Sequence, residues 1–220
     1  MILQRGKKYL QIALNSSLSE AHKIIKCLPV SDRILIEAGT PLIKQYGIEA
    51  LSRLKSYYRQ FPSPYLAADL KTADLALREV EMAAHCGASA VVCLGNAPVQ
   101  TIDIFIAQCK KEKIDSMVDM LNVEDPLMVL RQISVPPDIV ILHRGVDEEN
   151  FNKEKDLPFY DIGRIKNQYD VLIAMAGGDD FNEIQRAVLN DVDIVVVWKA
   201  FYKSTDETTA LAKEFLQEMR

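Results

Sequence analysis

The sequence predicts a single-domain (β/α)8 TIM barrel, an α/β fold spanning residues 1–220, and three observations lead there. Short apolar runs recur along the whole chain, each followed by an amphipathic stretch. Eight such units give a period of about 27 residues, at the compact end of what this barrel needs. The polar side chains suited to chemistry fall just beyond the runs, at the strand ends where barrel enzymes work.

The runs are Leu10–Leu14, Ile34–Ile36, Tyr65–Ala68, Ala90–Leu94, Ser116–Val118, Ile139–Leu142, Val171–Met175 and Ile194–Val197. Several are almost continuously apolar, as in Ile139-Val140-Ile141-Leu142 and Ile194-Val195-Val196-Val197. Strands apolar on both faces belong to parallel sheets covered by helices. Eight helices are expected between them. Ala73–Cys86 is a clear case, with Ala76, Leu77, Val80, Ala83 and Ala84 on one side and Gly87 placed to end it. The polar segment Glu148–Phe159 is expected to be a mobile excursion after the sixth strand. A doubly wound open sheet uses the same alphabet but usually has fewer strands. Its glycine-rich turn after strand 1 is missing, since Leu14 is followed by Asn15-Ser16-Ser17. No Pro/Gly/Ser-rich linker breaks the alternation, so one domain is expected.

Composition narrows the function classes. A net charge of −5 offers no electrostatic footprint for nucleic acid. No stretch approaches the roughly 20 apolar residues that cross a bilayer, and residues 1–8 lack the apolar core of a signal peptide. The four cysteines, Cys27, Cys86, Cys93 and Cys109, form no CxxC pair and no zinc spacing, and Cys86 and Cys93 read as buried small hydrophobes. A cytoplasmic protein is expected.

The strand ends carry Asn15 after strand 1, Glu37 after strand 2, and Asp69 with Lys71 after strand 3. Asp119 follows strand 5, His143 strand 6, Gly177-Gly178 strand 7 and Lys199 strand 8. In an extended strand Asp69 and Lys71 point the same way, and Asp74 is expected in the first turn of the next helix. Glu37 and Asp69 lie on neighbouring strands, so their oxygens can share a Mg²⁺, which needs only one or two carboxylates. The alternative is a pair of solvated acids at a wet rim. His143 is the histidine at a strand end, whereas His22 and His85 fall on helices; histidine moves protons near neutrality. A structural histidine is the alternative. Gly177 and Gly178 stand where bare backbone N–H groups cradle phosphate in this fold, although a Gly-Gly pair alone is usually just a turn.

These residues sit in stretches that run through nearly the whole chain. They include Leu10-Gln11-Ile12-Ala13-Leu14, Ile36-Glu37-Ala38-Gly39-Thr40-Pro41, Ala68-Asp69-Leu70-Lys71-Thr72-Ala73-Asp74, Met117-Val118-Asp119, His143-Arg144-Gly145-Val146-Asp147 and Ala176-Gly177-Gly178. In them the chain resembles the orotidine 5′-phosphate decarboxylase suprafamily. Its metal-dependent branch, 3-hexulose-6-phosphate synthases and 3-keto-L-gulonate 6-phosphate decarboxylases, is the most similar, the archaeal synthases above all. The Asp-x-Lys-x-x-Asp element marks the suprafamily; Asp119 and Val146 resemble the synthase side.

The resemblance implies roles. Glu37 and Asp69 would hold Mg²⁺ (Mn²⁺ as substitute), and Lys71 and Asp74 would balance charge around the substrate hydroxyls. Asp74 would act across a homodimer interface. His143 would shuttle the proton, with Asp119 and Asn15 beside it in the catalytic set. Gly177, Gly178, Trp198 and Lys199 would meet the phosphate. The implied reaction is aldol addition of formaldehyde to ribulose 5-phosphate through a metal-stabilised enediolate. Two departures stand out. Strand 1 ends in Asn15 where the family carries aspartate, and Trp198-Lys199 replaces a small glycine-containing pair after strand 8. They leave open a phosphosugar decarboxylase or a non-catalytic sugar-phosphate-binding paralogue.

Overall fold

The computed structural model describes residues 1–152, 157–177, 181–203 and 207–219. Eight parallel strands close in sequence order into a barrel. They are β1 (Tyr9–Leu14), β2 (Ile34–Ala38), β3 (Leu66–Thr72), β4 (Ala90–Leu94), β5 (Asp115–Asp119), β6 (Ile139–His143), β7 (Leu172–Ala176) and β8 (Ile194–Val197). Closure comes from β1, which pairs with β2 through Ala13 opposite Glu37 and with β8 through Gln11 opposite Val196.

Strand alternation splits the interior in two. Leu10, Ile12, Leu14, Ile34 and Ile36 face outward into the layer under the helices. Tyr9, Ala13, Leu35, Ala67, Val92, Met117 and Ile141 face inward and fill the barrel. Burying each large aliphatic side chain stabilises the fold by about 1.5–3 kcal/mol.

Eleven helices occur among the described residues, more than the eight expected, because several connections carry a second short helix. Helix α1 (Leu18–Cys27) starts where the Ser17 side chain accepts from the Glu20 amide, and it buries Ala21, Ile24 and Ile25. Helix α6 (Pro126–Gln132) opens on an Asp125 cap with Pro126 in its first turn, where no amide is needed. After β6, helix α7 (Val146–Phe151) takes up the start of the expected excursion, so that part is ordered helix. Residues 153–156, the middle of that excursion, lie outside the described residues.

The largest departure follows β3. The strand runs on to Thr72, and helix α4 spans Ala76–His85 rather than beginning at Ala73. Leu75 precedes it in the left-handed region at φ 54°, so Asp74 lies in an exposed loop and not in a helical turn. Leu77, expected on the apolar side of α4, is half exposed. Cys93 and Cys109 are buried, Cys86 is half-buried, and all four cysteines are free. Among the described residues no helix is long and apolar enough to cross a membrane.

Candidate active site

The C-terminal ends of the strands surround one cavity of about 600 Å³. Asn15, Glu37, Asp69, Lys71, Asp119, His143, Gly177 and Trp198 all line it. That volume suits a small-molecule ligand.

Glu37 points inward from β2, and Asp69 from β3. Burial, and next the negative charge of Asp69, push the Glu37 carboxyl up to about 7, against a hydrogen bond from Gln11 that favours its charge. Thr40 Oγ1 donates to Asp69, lying 2.8 Å from both its backbone oxygen and Oδ2. Asp69 Oδ1 is buried without a hydrogen-bond partner. Two crowded carboxylates, one raised and one with an unsatisfied oxygen, have the donor chemistry a hard divalent cation needs. Among the described residues no three His, Cys, Asp or Glu side chains form a fuller cage.

Lys71 reaches the same cluster by a distorted route. Between Ala68 and Thr72 the β3–β4 register slips, and Lys71 itself sits at φ 48°. The expected strand alternation is therefore replaced by a bulge, a device that re-aims side chains next to active sites. Lys71 Nζ ends 3.0 Å from Asp119 Oδ2 and 3.2 Å from Asp69 Oδ2. Burial works against its charge, but Asp69 and Asp119 outweigh that and hold it above the usual lysine range.

Asp119 organises the far wall. Its oxygens lie 2.9 and 3.1 Å from His143 Nδ1, and Oδ1 also accepts from the Leu121 amide. Burial alone would raise this carboxyl, but His143 and Lys71 keep it below the ordinary value. With a carboxylate facing Nδ1, that nitrogen carries the hydrogen, leaving Nε2 to accept or deliver a proton.

The phosphate candidates divide. Gly177 lines the cavity at φ +95°, and a Cβ there would lie 2.1 Å from the Arg144 carbonyl oxygen, so glycine is required by both conformation and contact. Gly178 lies outside the described residues. Trp198 lines the cavity without filling it, edge-on to Tyr202 at 6.5 Å. The Tyr202 hydroxyl in turn accepts from the Asn15 and Ser16 amides. Lys199 is not part of the lining; its Nζ lies 2.7 Å from Glu149 Oε2 on α7. Asp74 does not join the cluster within a single chain.

Three residues were missed by sequence reasoning. Gln11 and Thr40 hold the two carboxylates, and buried Arg144 ties Gly177 O (2.7 Å) to Glu183 (2.8 Å) and Glu149 (3.5 Å). A lone amide inside an otherwise apolar strand was the available signal for Gln11. Arg144 stood in a stretch that carries the family resemblance, but an arginine beyond a strand end is usually solvated, so its buried role was not readable.

Comparison with known proteins finds relatives that match nearly the whole chain. The family model described as orotidine 5′-phosphate decarboxylase / HUMPS family matches residues 8–213. The bifunctional enzyme Fae/Hps of Methanothrix thermoacetophila is 39% identical over 214 residues, covering 96% of this chain and 53% of the relative. That of Archaeoglobus fulgidus is 39% identical over 216 residues, with the same coverage. The chain thus spans about half the length of the curated relatives it matches. The crystal structure of 3-hexulose-6-phosphate synthase from Salmonella typhimurium superposes with a TM-score of 0.83 at 27% identity, covering 96% of this chain and 98% of that one.

Proposed function

Because the chain belongs to the orotidine 5′-phosphate decarboxylase / HUMPS family, we propose that it is a carbon–carbon lyase of the 3-hexulose-6-phosphate synthase type. It would join formaldehyde to ribulose 5-phosphate, or run the reverse cleavage. The observation that carries this reading is the convergence of Glu37, Asp69, Lys71, Asp119 and His143 on one cavity at the barrel mouth.

The chain's own groups divide the work. His143 Nε2 takes the proton from C1 of the pentose phosphate, while Asp119 holds the ring through Nδ1. The C1 carbanion attacks the formaldehyde carbon, and the proton returns from His143 to the new alkoxide oxygen. Lys71, already charged beside Asp69 and Asp119, donates to the sugar oxygens where negative charge builds. Glu37 and Asp69 would hold a divalent cation, which supplies charge stabilisation to the sugar oxyanion worth several kcal/mol. Bare backbone around Gly177 and Gly178, with the Trp198 amide, would receive the phosphate. Lys199 would assist only after leaving Glu149.

In this reading the protein works as a homodimer, with Asp74 entering the neighbour's site. Asp74 and Leu75 support this: both lie on the β3–α4 loop outside the lining of their own cavity, and Leu75 is 65% exposed.

Incubation with ribulose 5-phosphate and formaldehyde should consume both in equal amounts, stop on adding a chelator and resume with Mg²⁺ or Mn²⁺. Absence of consumption, with CO₂ released from 3-keto-L-gulonate 6-phosphate instead, would move the chain to the decarboxylase branch. Turnover indifferent to chelation would remove the cation from the mechanism.

A further inference from the structure

Below the two carboxylates lies a residue with no evident reason to be polar. Gln11 is fully buried in the middle of β1, whose other residues, Tyr9, Leu10, Ile12, Ala13 and Leu14, are all apolar and buried. It shares the inward row with Tyr9 and Ala13, stands in register with Leu35 on β2 and Val196 on β8, and is closed off from solvent. Burying an amide among such neighbours is unfavourable unless its hydrogen bonds are made. Here most are not: Gln11 Oε1 has no partner among the described residues. What the amide gains is a single contact, from Nε2 to Glu37 Oε2 at 2.5 Å.

Two features make that contact possible. Glu37 sits one inward step above Leu35 on β2, directly across from Ala13. Ala13 and, on the other side, Ala67 are the small neighbours of Glu37 in the ladder, so the glutamine side chain can rise past Ala13 to meet the carboxylate. A leucine at either position would fill that path.

Resting on the cation-site reading above, we infer that Gln11 is a positioning residue that pins Glu37 Oε2 to the middle of β1 and leaves Oε1 for a divalent cation. The choice of an amide has a physical logic. A neutral N–H donor favours the ionised carboxylate and fixes its rotamer without adding positive charge. A lysine or arginine there would neutralise Glu37 and repel the cation it is meant to hold. An aliphatic residue would pack well but leave a buried carboxylate free to rotate. Groups that orient a metal's ligands typically change its affinity by about 10–100-fold when removed.

The test is Mn²⁺ binding to the full chain without substrate, read by electron paramagnetic resonance, for the wild type, Gln11→Met and Leu35→Ala. Gln11→Met keeps length and loses the donor. Leu35→Ala disturbs the same layer beside Gln11 but keeps the amide donor to Glu37. The expected result is a Kd for Mn²⁺ raised about 10–100-fold in Gln11→Met and changed less than about threefold in Leu35→Ala. If Gln11→Met does not fold by circular dichroism, Gln11→Leu takes its place. A Kd for the Gln11 variant within twofold of wild type, or an equal loss in Leu35→Ala, overturns the positioning role and leaves the cation site standing. Failure of the wild type itself to bind Mn²⁺ at millimolar concentration overturns both.

Discussion

The two ends of this barrel both carry clusters of charge, and they are built on opposite principles. At the floor, Lys8 and Lys166 each pair with Asp191 and Asp193, and Asp193 also accepts from the Ile173 amide. Arg33 beside them donates to the Leu216 carbonyl in the last turn of helix α11 (Thr208–Glu218) and to that of Met219, where a cation complements the helix end. At the mouth, Glu37, Asp69 and Asp119 face Lys71 and His143, with one carboxyl raised to about 7 and one oxygen left unsatisfied. The Lys8, Lys166, Asp191 and Asp193 group balances its charges and closes that end of the structure. The mouth gathers three carboxyls around Lys71 and His143, an excess of acid that a proton on Glu37 or a further cation would offset. What distinguishes the mouth is that its unbalanced acids line an open cavity.

The comparison can be broken most directly at the mouth. Asp69→Asn should lower kcat/KM by about 10³-fold or more, the rate equivalent of several kcal/mol. The thermal midpoint in chelator should hold or rise, because like charges are relieved. A loss of folding stability to match the loss of rate would make Asp69 structural. Next, His143→Gln should reduce kcat by about 10²–10⁴-fold and leave Mn²⁺ affinity within a few-fold, measured on the same preparation.

The pH dependence sharpens the contrast because the two ends have opposite signs. The folded Glu37 carboxyl sits at about 7 against 4.5 as the ordinary value. Between those values the folded chain keeps a proton that the unfolded chain has lost, so stability falls as pH rises, by up to about 3 kcal/mol. Hydrogen bonds from Lys8 and Lys166 hold Asp191 below the ordinary range. Its contribution is present at neutral pH and is lost as pH falls through its lowered value. Urea denaturation in chelator at pH 5 and pH 8 checks the first sign, and Glu37→Gln should flatten it. The smallest effect belongs to the floor: Lys166→Ala should cost less than about 1 kcal/mol in urea and leave turnover unchanged.

Much of this was legible from residues alone. All eight strands lie where the apolar runs place them, with ends shifted by a few residues at most, because a strand buried on both faces writes its own length in apolar residues. Glu37, Asp69, Lys71, Asp119, His143 and Gly177 were readable as one set because the closed barrel brings every strand end to the same mouth. Position along the chain was enough for them. It was not enough for Asp74, where the left-handed Leu75 delays the helix, nor for Lys199, whose partner Glu149 is 50 residues away.

Local pattern by itself determined the fold class, the strand order and the candidates for chemistry, since periodicity and strand ends are properties of neighbours in sequence. Only the tertiary structure decided which candidate touches which. The slipped register of β3 swings Lys71 between two carboxylates, the β1–β2 register carries Gln11 up to Glu37, and the packing of Gly177 on the Arg144 carbonyl demands a glycine there. Those outcomes depend on distances between strands, which parallel pairing sets to within a residue and which no single segment encodes.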